Sequence, residues 1–527
     1  MRRREFLGGA GSVTAAFALA CPALAAPADA RTLRFVPQAN LTSLDPVWTT
    51  AAVTRNFGLL VYDTLYGIDS TLTPRPQMAE GHRVEDDGRR WLIRLREGLR
   101  FHDGTPVLAR DCAASVARWM KRDPLGQSLQ PRLDAIEAAD DHTLVFRLNK
   151  PFPRLITMLG KLTAAGIMPE RLASTDAFTQ MTEVVGSGPF RFLPGEYVSG
   201  SRAAFARADT YRPRDEAPDF CAGAKVARVD RVEWQIIPDS ATAAGALVSG
   251  EVDWIEMPLP DLLPMLRRSP DVAVGQLDSI GLFPQCRPNM VAGPTTNVGL
   301  RRAMLAAVDQ KEVMQAVMGD DASGYRTGVG VFVPGQPGSP AAGLDLIGPK
   351  PDAEVKAMLK AAGYDGSPVA LLHPTDQTFY GAMCDVVSAR LKRVGINVDE
   401  QMMDWGTVVQ RRASRASLDK GGWSLFCTSS PALDYLNPLT AGAVRANGDK
   451  AWWGWPSDAR QEELYDAWLY GADGPATDAV EAEMQVRALE NAWVIPLGQY
   501  FQSAGWRRNL TGLQKGPAPV FWNVNKS

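Results

Sequence analysis

The chain reads as an α/β protein built from more than one layered domain, and three observations carry that reading. At 527 residues it is too long for one compact core. Its second half alternates strand-like and helix-like segments with short connections, the pattern of parallel pairing. Its first half places short strands around Asp-Gly turns, the pattern of antiparallel hairpins.

Taken in order, "TLRFVPQ" from Thr32 is a strand and "ANLTSLDPVWTT" the loop after it. "RNFGLLVYDTLYGID" is a helix, with Phe57, Leu60, Val61, Thr64 and Leu65 near helical spacing. His82 to Glu85, an Asp-Asp-Gly turn and Arg90 to Arg96 form a hairpin, with Trp91, Ile93 and Leu95 alternating against arginines. "PVLARDCAASVARWMKR" is an amphipathic helix whose start lacks a good cap, because Leu108 stands where Ser or Thr would help. "HTLVFRLNKP" is a strand, "VGSGPFRFLPGEY" a glycine-rich turn into a strand, and "VDRVEWQIIPD" a strand alternating Val232, Trp234 and Ile236. "SATAAGALVSGEVDWIEM" runs helix, turn, strand.

In the second half "GLRRAMLAAV" is a helix, and Asp309 with Glu312 makes a capping-box-like start for "KEVMQAVMG". "DAEVKAMLKAAGY" is a helix stopped by Gly363, "PVALLHP" a strand, "FYGAMCDVVSARLKRVG" a helix stopped by Gly395, and "INVDEQMMD" a strand. A Pro/Gly loop begins at Pro334.

Arg2, Arg3 and Arg4, the apolar run Val13 to Ala20, and small-residue sites at Ala23-Leu24-Ala25 and Ala28-Asp29-Ala30 read as a cleavable export signal over residues 1–30. Arg3-Arg4-Glu5-Phe6-Leu7 has the twin-arginine pattern, which exports proteins already folded. The alternative is a lipoprotein anchor at Cys21, but the leucine usual three residues before the cysteine is missing. No later segment is apolar enough for a membrane helix, so a periplasmic protein is expected. Cys112, Cys221, Cys286, Cys384 and Cys427 are scattered without a CxxC pair; one or two disulfides are open, with an odd thiol left over.

The chain is 22% charged with a net charge of −3, which gives no general attraction to nucleic acid. Catalytic patterns fail: there is no HExxH, GxSxG or Walker A, and Ser417-Leu418-Asp419-Lys420 matches SxxK without its partner motifs. The four histidines, His82, His102, His142 and His373, are far apart in sequence, so no metal or other cofactor is expected. Fourteen tryptophans are many, and Trp405, Trp423, Trp452, Trp453 and Trp455 crowd the last third. Trp405 and Trp423 stand equally as core or as pocket walls.

"NLTSLDPVWTT", "MAEGHRVEDDGRRWLIRLREGLRFHDGTPVLARDC", "GSGPFRF", "IIPDSATAAGALVSGEVD", "LRRAMLAAVDQKEVM", "LKAAGYDG" and "ARLKRVGINV" together resemble the family 5 extracytoplasmic solute-binding proteins of ABC importers. The resemblance implies a two-lobed periplasmic binding protein fold (type II, cluster C-like) closing on a ligand. It implies a first lobe over 31–285 with an inserted subdomain at about 77–185, a second over 286–499, and a return over 500–527. The hairpin signature would build that insertion, away from the ligand. The implied activity is capture of a small-molecule or short-peptide solute for an inner-membrane permease, by a monomer; a hydrolase or other enzyme on the same scaffold, or a nickel-complex, opine or glycoside binder, is the alternative.

Ligand residues follow from the same resemblance. Asp434 in "SSPALDYLNP" matches the family's ammonium anchor or caps its own loop, and Asn437 replaces a second acid. Trp405 in "DWG" matches an aromatic at the pocket, with Trp423, Thr428 and Ser429 nearby in sequence. Dipeptide-type members grip the ligand carboxylate with an arginine where this chain has "LLHPTDQTFY", so Arg326 in "GYRTGVG" is the candidate replacement, and a peptide-like or amine-bearing solute is expected.

Overall fold

The computed structural model describes residues 31–49, 51–162, 165–335 and 341–527, so the export-signal and Cys21 readings lie outside the described residues. Two seven-stranded sheets organise the chain. In the first, Thr32–Val36 pairs in parallel with Arg231–Gln235 and Trp254–Ile255; Arg202–Arg207, Phe190–Phe192, Val272–Gly275 and Ala504–Arg507 join antiparallel. Its core is aromatic: Phe35 packs edge-on to Trp254 and Phe521, with ring centroids 5.0 Å apart in each pair. In the second sheet Val369–Pro374 lies parallel to both Val398–Met403 and Leu425–Pro431, and Leu282–Pro288 runs antiparallel to Leu425–Pro431.

The chain crosses between the sheets twice. Strand Leu282–Pro288 spans the expected boundary at residue 285 and belongs wholly to the second sheet, as does Tyr500, which pairs with Leu282. The crossings therefore fall in the connections 276–281 and 501–503. Gly281 sits there at φ +64°, and a Cβ on it would come 2.2 Å from the Tyr500 carbonyl oxygen, so the two crossings approach closely only because this residue has no side chain.

The insertion is a four-stranded antiparallel sheet of Ala79–Glu85, Arg90–Leu95, Thr143–Leu148 and Leu133–Ala138, covered by the helix Ala109–Arg122. Trp91, Ile93 and Leu95 face inward, and Arg94 pairs with Glu80 at the surface. The helix solves its missing cap from within: the Leu108 N–H donates to the Asp111 carboxylate at 2.8 Å. At the capping box expected over Asp309 and Glu312, Asp309 accepts from the Lys311 N–H, but Glu312 turns to Arg390.

One element is shorter than its periodicity predicts. The helix over 55–69 is instead Ala52–Val61, and Tyr66–Ile68 is a strand. The Val61 carbonyl accepts from the Gly188 N–H at 2.8 Å, and Asp63 is buried against Lys225 at 2.8 Å. Those tertiary partners end the helix where local spacing would continue it. All five cysteines among the described residues are buried free thiols; Cys286 and Cys427 are direct cross-strand neighbours. No helix among the described residues is long and apolar enough to cross a membrane.

Candidate functional site

Parallel strands expose their carboxyl ends to a crevice, and both sheets do so toward one cleft. Gln38 follows the strand Thr32–Val36 and Glu256 follows Trp254–Ile255; both line a cavity of about 120 Å³ that Leu282 and Pro431 of the second lobe close. A larger cavity of about 350 Å³ opens beside Trp48, Tyr62, Trp119 and Arg122. Arg55, on the helix Ala52–Val61, lines both.

Arg55 is the electrostatic centre of this region. Its guanidinium donates to the Asn56 side-chain oxygen at 3.1 and 3.2 Å and to the Pro517 carbonyl at 3.4 Å. Among the described residues it has no ion-pair partner, and burial lowers its pKa against the pull of Glu256, Asp278 and Asp434. Each of those acids is raised by burial in turn. Glu256 accepts from the Gln38 N–H and the Asn56 amide, and Asp278 accepts from the N–H groups of Ile280 and Gly281, fixing the crossing turn. The cleft thus holds desolvated charge of both signs, with acids in excess around Arg55.

Asp434 is the sequence-predicted residue coupled electrostatically to this centre, although it lines neither cavity. It lies in the short 3₁₀ turn Ala432–Tyr435 of the second lobe, desolvated, under the opposing influence of Lys161 and Arg55 on one side and Asp123 on the other. It does not cap its loop: Asn437 does, accepting from the N–H groups of Leu439 and Thr440. A half-buried carboxylate facing the first lobe without a backbone partner is free to receive a ligand cation.

The other expectations divide. Trp423 is core: it is fully buried, its indole N–H donates to the Ser414 carbonyl at 3.0 Å, and it packs on Phe426 and Trp455. Trp405 is half-buried at the carboxyl end of Val398–Met403, its N–H held by Asp376 and its ring set between Tyr380 and Arg412. Thr428 is buried in the strand Leu425–Pro431, with the Tyr380 hydroxyl against it. Ser429 lies one residue on, beside Tyr500. Arg326 is exposed on the edge strand Tyr325–Arg326, donates to the Pro334 carbonyl at 3.2 Å and leans on Phe501. It lines neither cavity, whereas Arg55 lines both and Arg122 the larger one. The insertion is not wholly remote: its hairpin lines neither cavity, yet Trp119, Arg122 and Asp123, at the end of its helix, line the larger one.

Two α/β lobes joined by paired crossings, with a charged cleft between them, define a solute-capturing protein. The family model for bacterial extracellular solute-binding proteins, family 5 Middle, matches residues 73–447. A probable peptide ABC transporter periplasmic-binding protein of Sinorhizobium fredii (strain NBRC 101917 / NGR234) is 35% identical over 538 residues, covering 100% of this chain and 99% of the relative. The glutathione-binding protein of Escherichia coli (strain K12) is 25% identical over 417 residues, 76% of each chain. A periplasmic binding protein from A. tumefaciens R10, solved with agropinic acid, superposes with TM-score 0.74 at 22% identity, over 94% of this chain and 99% of that one. The chain belongs to the bacterial extracellular solute-binding proteins, family 5.

Proposed function

We propose that this protein captures a peptide-like zwitterion in the periplasm, with Arg55 taking the carboxylate and Asp434 the ammonium, and delivers it as a monomer to an inner-membrane ABC permease. The observation that supports this reading most is a desolvated arginine on one lobe, without an ion-pair partner among the described residues, set against a carboxylate on the other lobe that makes no backbone hydrogen bond there. Each charge is costly to leave buried alone, and a ligand bearing both signs relieves both costs on closure. The Sinorhizobium relative's description as a peptide-transporter component supports the same class.

Binding without turnover is part of the reading. The side chains of His82, His102 and His373 face a tyrosine, a backbone carbonyl and carboxylates respectively, and among the described residues no serine or cysteine hydrogen-bonds one of them. Export through the twin-arginine route rests on Arg3-Arg4 and fits five thiols that are buried unpaired in the folded lobes.

Mass spectrometry of ligand released from the purified protein tests the class directly. Calorimetry with that ligand then tests the residues: Arg55→Met and Asp434→Asn are each expected to weaken binding by about 2–5 kcal/mol, the range for breaking a buried charge pair. A released ligand without an ammonium, or unchanged affinity in both variants, overturns the assignment.

A further inference from the structure

Outside the cleft, the second lobe gathers His373, Asp385 and Glu400 from three elements. His373 ends the strand Val369–Pro374; Glu400 lies on the adjacent parallel strand Val398–Met403; Asp385 is on the helix Thr378–Arg393 that covers both. One nitrogen of His373 and one oxygen from each acid lie within 4.8 Å of one another. The imidazole is 4% exposed, and its Nδ1 has no hydrogen-bond partner. A buried polar nitrogen left unmatched calls for a partner such as a water or an ion.

The surrounding groups suit a cation. Glu400 is anchored by one oxygen only: Oε1 accepts from Ser388 Oγ at 2.6 Å and pairs with Lys392, while Oε2 is free at 3.4 Å from His373 Nδ1. Two ligand atoms 3.4 Å apart, each about 2.1 Å from an ion, subtend about 108°, close to the tetrahedral angle. Asp385 is 68% exposed, with an oxygen 3.7 Å from the other ring nitrogen, and serves as the third ligand by swinging to the Nδ1 side of the ring.

We propose that His373, Glu400 and Asp385 form a binding site for a divalent transition-metal ion of the Zn²⁺ class, completed by solvent. An imidazole with two carboxylates favours such an ion over Ca²⁺ or Mg²⁺, which take oxygen ligands. Bound metal ties the edge strand, its neighbour and the covering helix together. It does so one residue before Pro374-Thr375-Asp376, the turn whose Asp376 accepts from the Trp405 N–H at 2.7 Å. None of the three ligands lines either cavity, so metal binding is read independently of the solute assignment.

The test uses the mature protein without a histidine tag, stripped with chelator and titrated with Zn²⁺ by calorimetry and with Co²⁺ by visible absorption. One equivalent is expected to bind. Stoichiometric binding and the Co²⁺ spectrum are expected to vanish in His373→Gln. Asp385→Asn, at an exposed position that leaves the fold intact, is expected to weaken binding at least about tenfold, and Ser388→Ala, which frees Glu400, about tenfold. No bound equivalent in the parent overturns the site and leaves a simple imidazole–carboxylate staple. Binding that persists unchanged in both His373→Gln and Asp385→Asn also overturns it.

Discussion

Glu481 gives a quantitative handle on the second lobe. It lies on the helix Pro475–Glu490, 2% exposed, with Oε1 unpartnered. Burial, helped by Asp478, pushes its carboxyl up to about 8 from an ordinary 4.5, against a hydrogen bond from Trp468 and the charge of Arg154. Between those two values the folded chain holds a proton that the unfolded chain has lost. Stability therefore falls as pH rises, and the loss stops once pH passes the folded value. For these values the decrease between about pH 7 and pH 9 is about 1.4 kcal/mol. For a lobe of this size that is a drop of about 3–6 °C in its thermal midpoint. Calorimetric scans of the parent and Glu481→Gln across that range are the assay, since the amide keeps the shape and cannot ionise. The variant is expected to lack this extra decline. Parallel pH profiles for the two proteins would refute the claim that Glu481 is folded in its neutral form.

Further outcomes follow from burial and pairing. Trp423→Ala removes a fully buried ring and is expected to cost about 3–5 kcal/mol of stability, read by denaturant melts, while folded protein keeps its solute affinity. Trp405→Ala is expected to do the reverse, weakening solute binding by about 1–2 kcal/mol in calorimetry, less than a central aromatic because it lines neither cavity. Arg118 and Asp45 form a fully buried ion pair at 2.7 Å, so Asp45→Asn is expected to destabilise the first lobe by about 3–5 kcal/mol; a smaller loss than Asp45→Asn would be expected for a double apolar replacement of the pair. Replacing Arg3 and Arg4 by lysine is expected to hold precursor in the cytoplasm, and normal delivery of that variant, followed by fractionation, would remove the twin-arginine reading.

Much of the fold was legible because local chemistry and tertiary structure agree. Helix stops at Gly363 and Gly395 fall on positive φ angles of +66° and +100°, and the strand–helix–strand run from Val369 to Met403 forms the parallel pair its rhythm predicts. Where the reading slipped, a distant partner decided. The helix after Ala52 stops at Val61 because Gly188 takes its carbonyl, a contact between segments more than a hundred residues apart that no local period encodes. The boundary at residue 285 slipped by a few residues for a related reason: the crossing is marked by Gly281 meeting Tyr500, and only the folded pair shows why that glycine matters.

The cleft was harder to read, because its charges come from separate segments and acquire meaning only when brought together. Asp434 could be singled out from its own segment, yet whether it capped its loop depended on Asn437 three residues on. Arg55 carries no local signal at all: in the sequence it is one arginine on an amphipathic helix, and its lack of a carboxylate partner is a property of the assembled lobes. Arg326 had the better local context and the wrong place, spending its guanidinium on Pro334 at the sheet edge. The histidines behave the same way. Spacing along the chain offers His373 no second histidine, and only the fold sets carboxylates from a neighbouring strand and a covering helix beside it, the grouping on which the proposed metal site rests. Local spacing encodes a ligand set only when one element carries it; sheets and their covering helices bring side chains together across elements, where no local spacing records it.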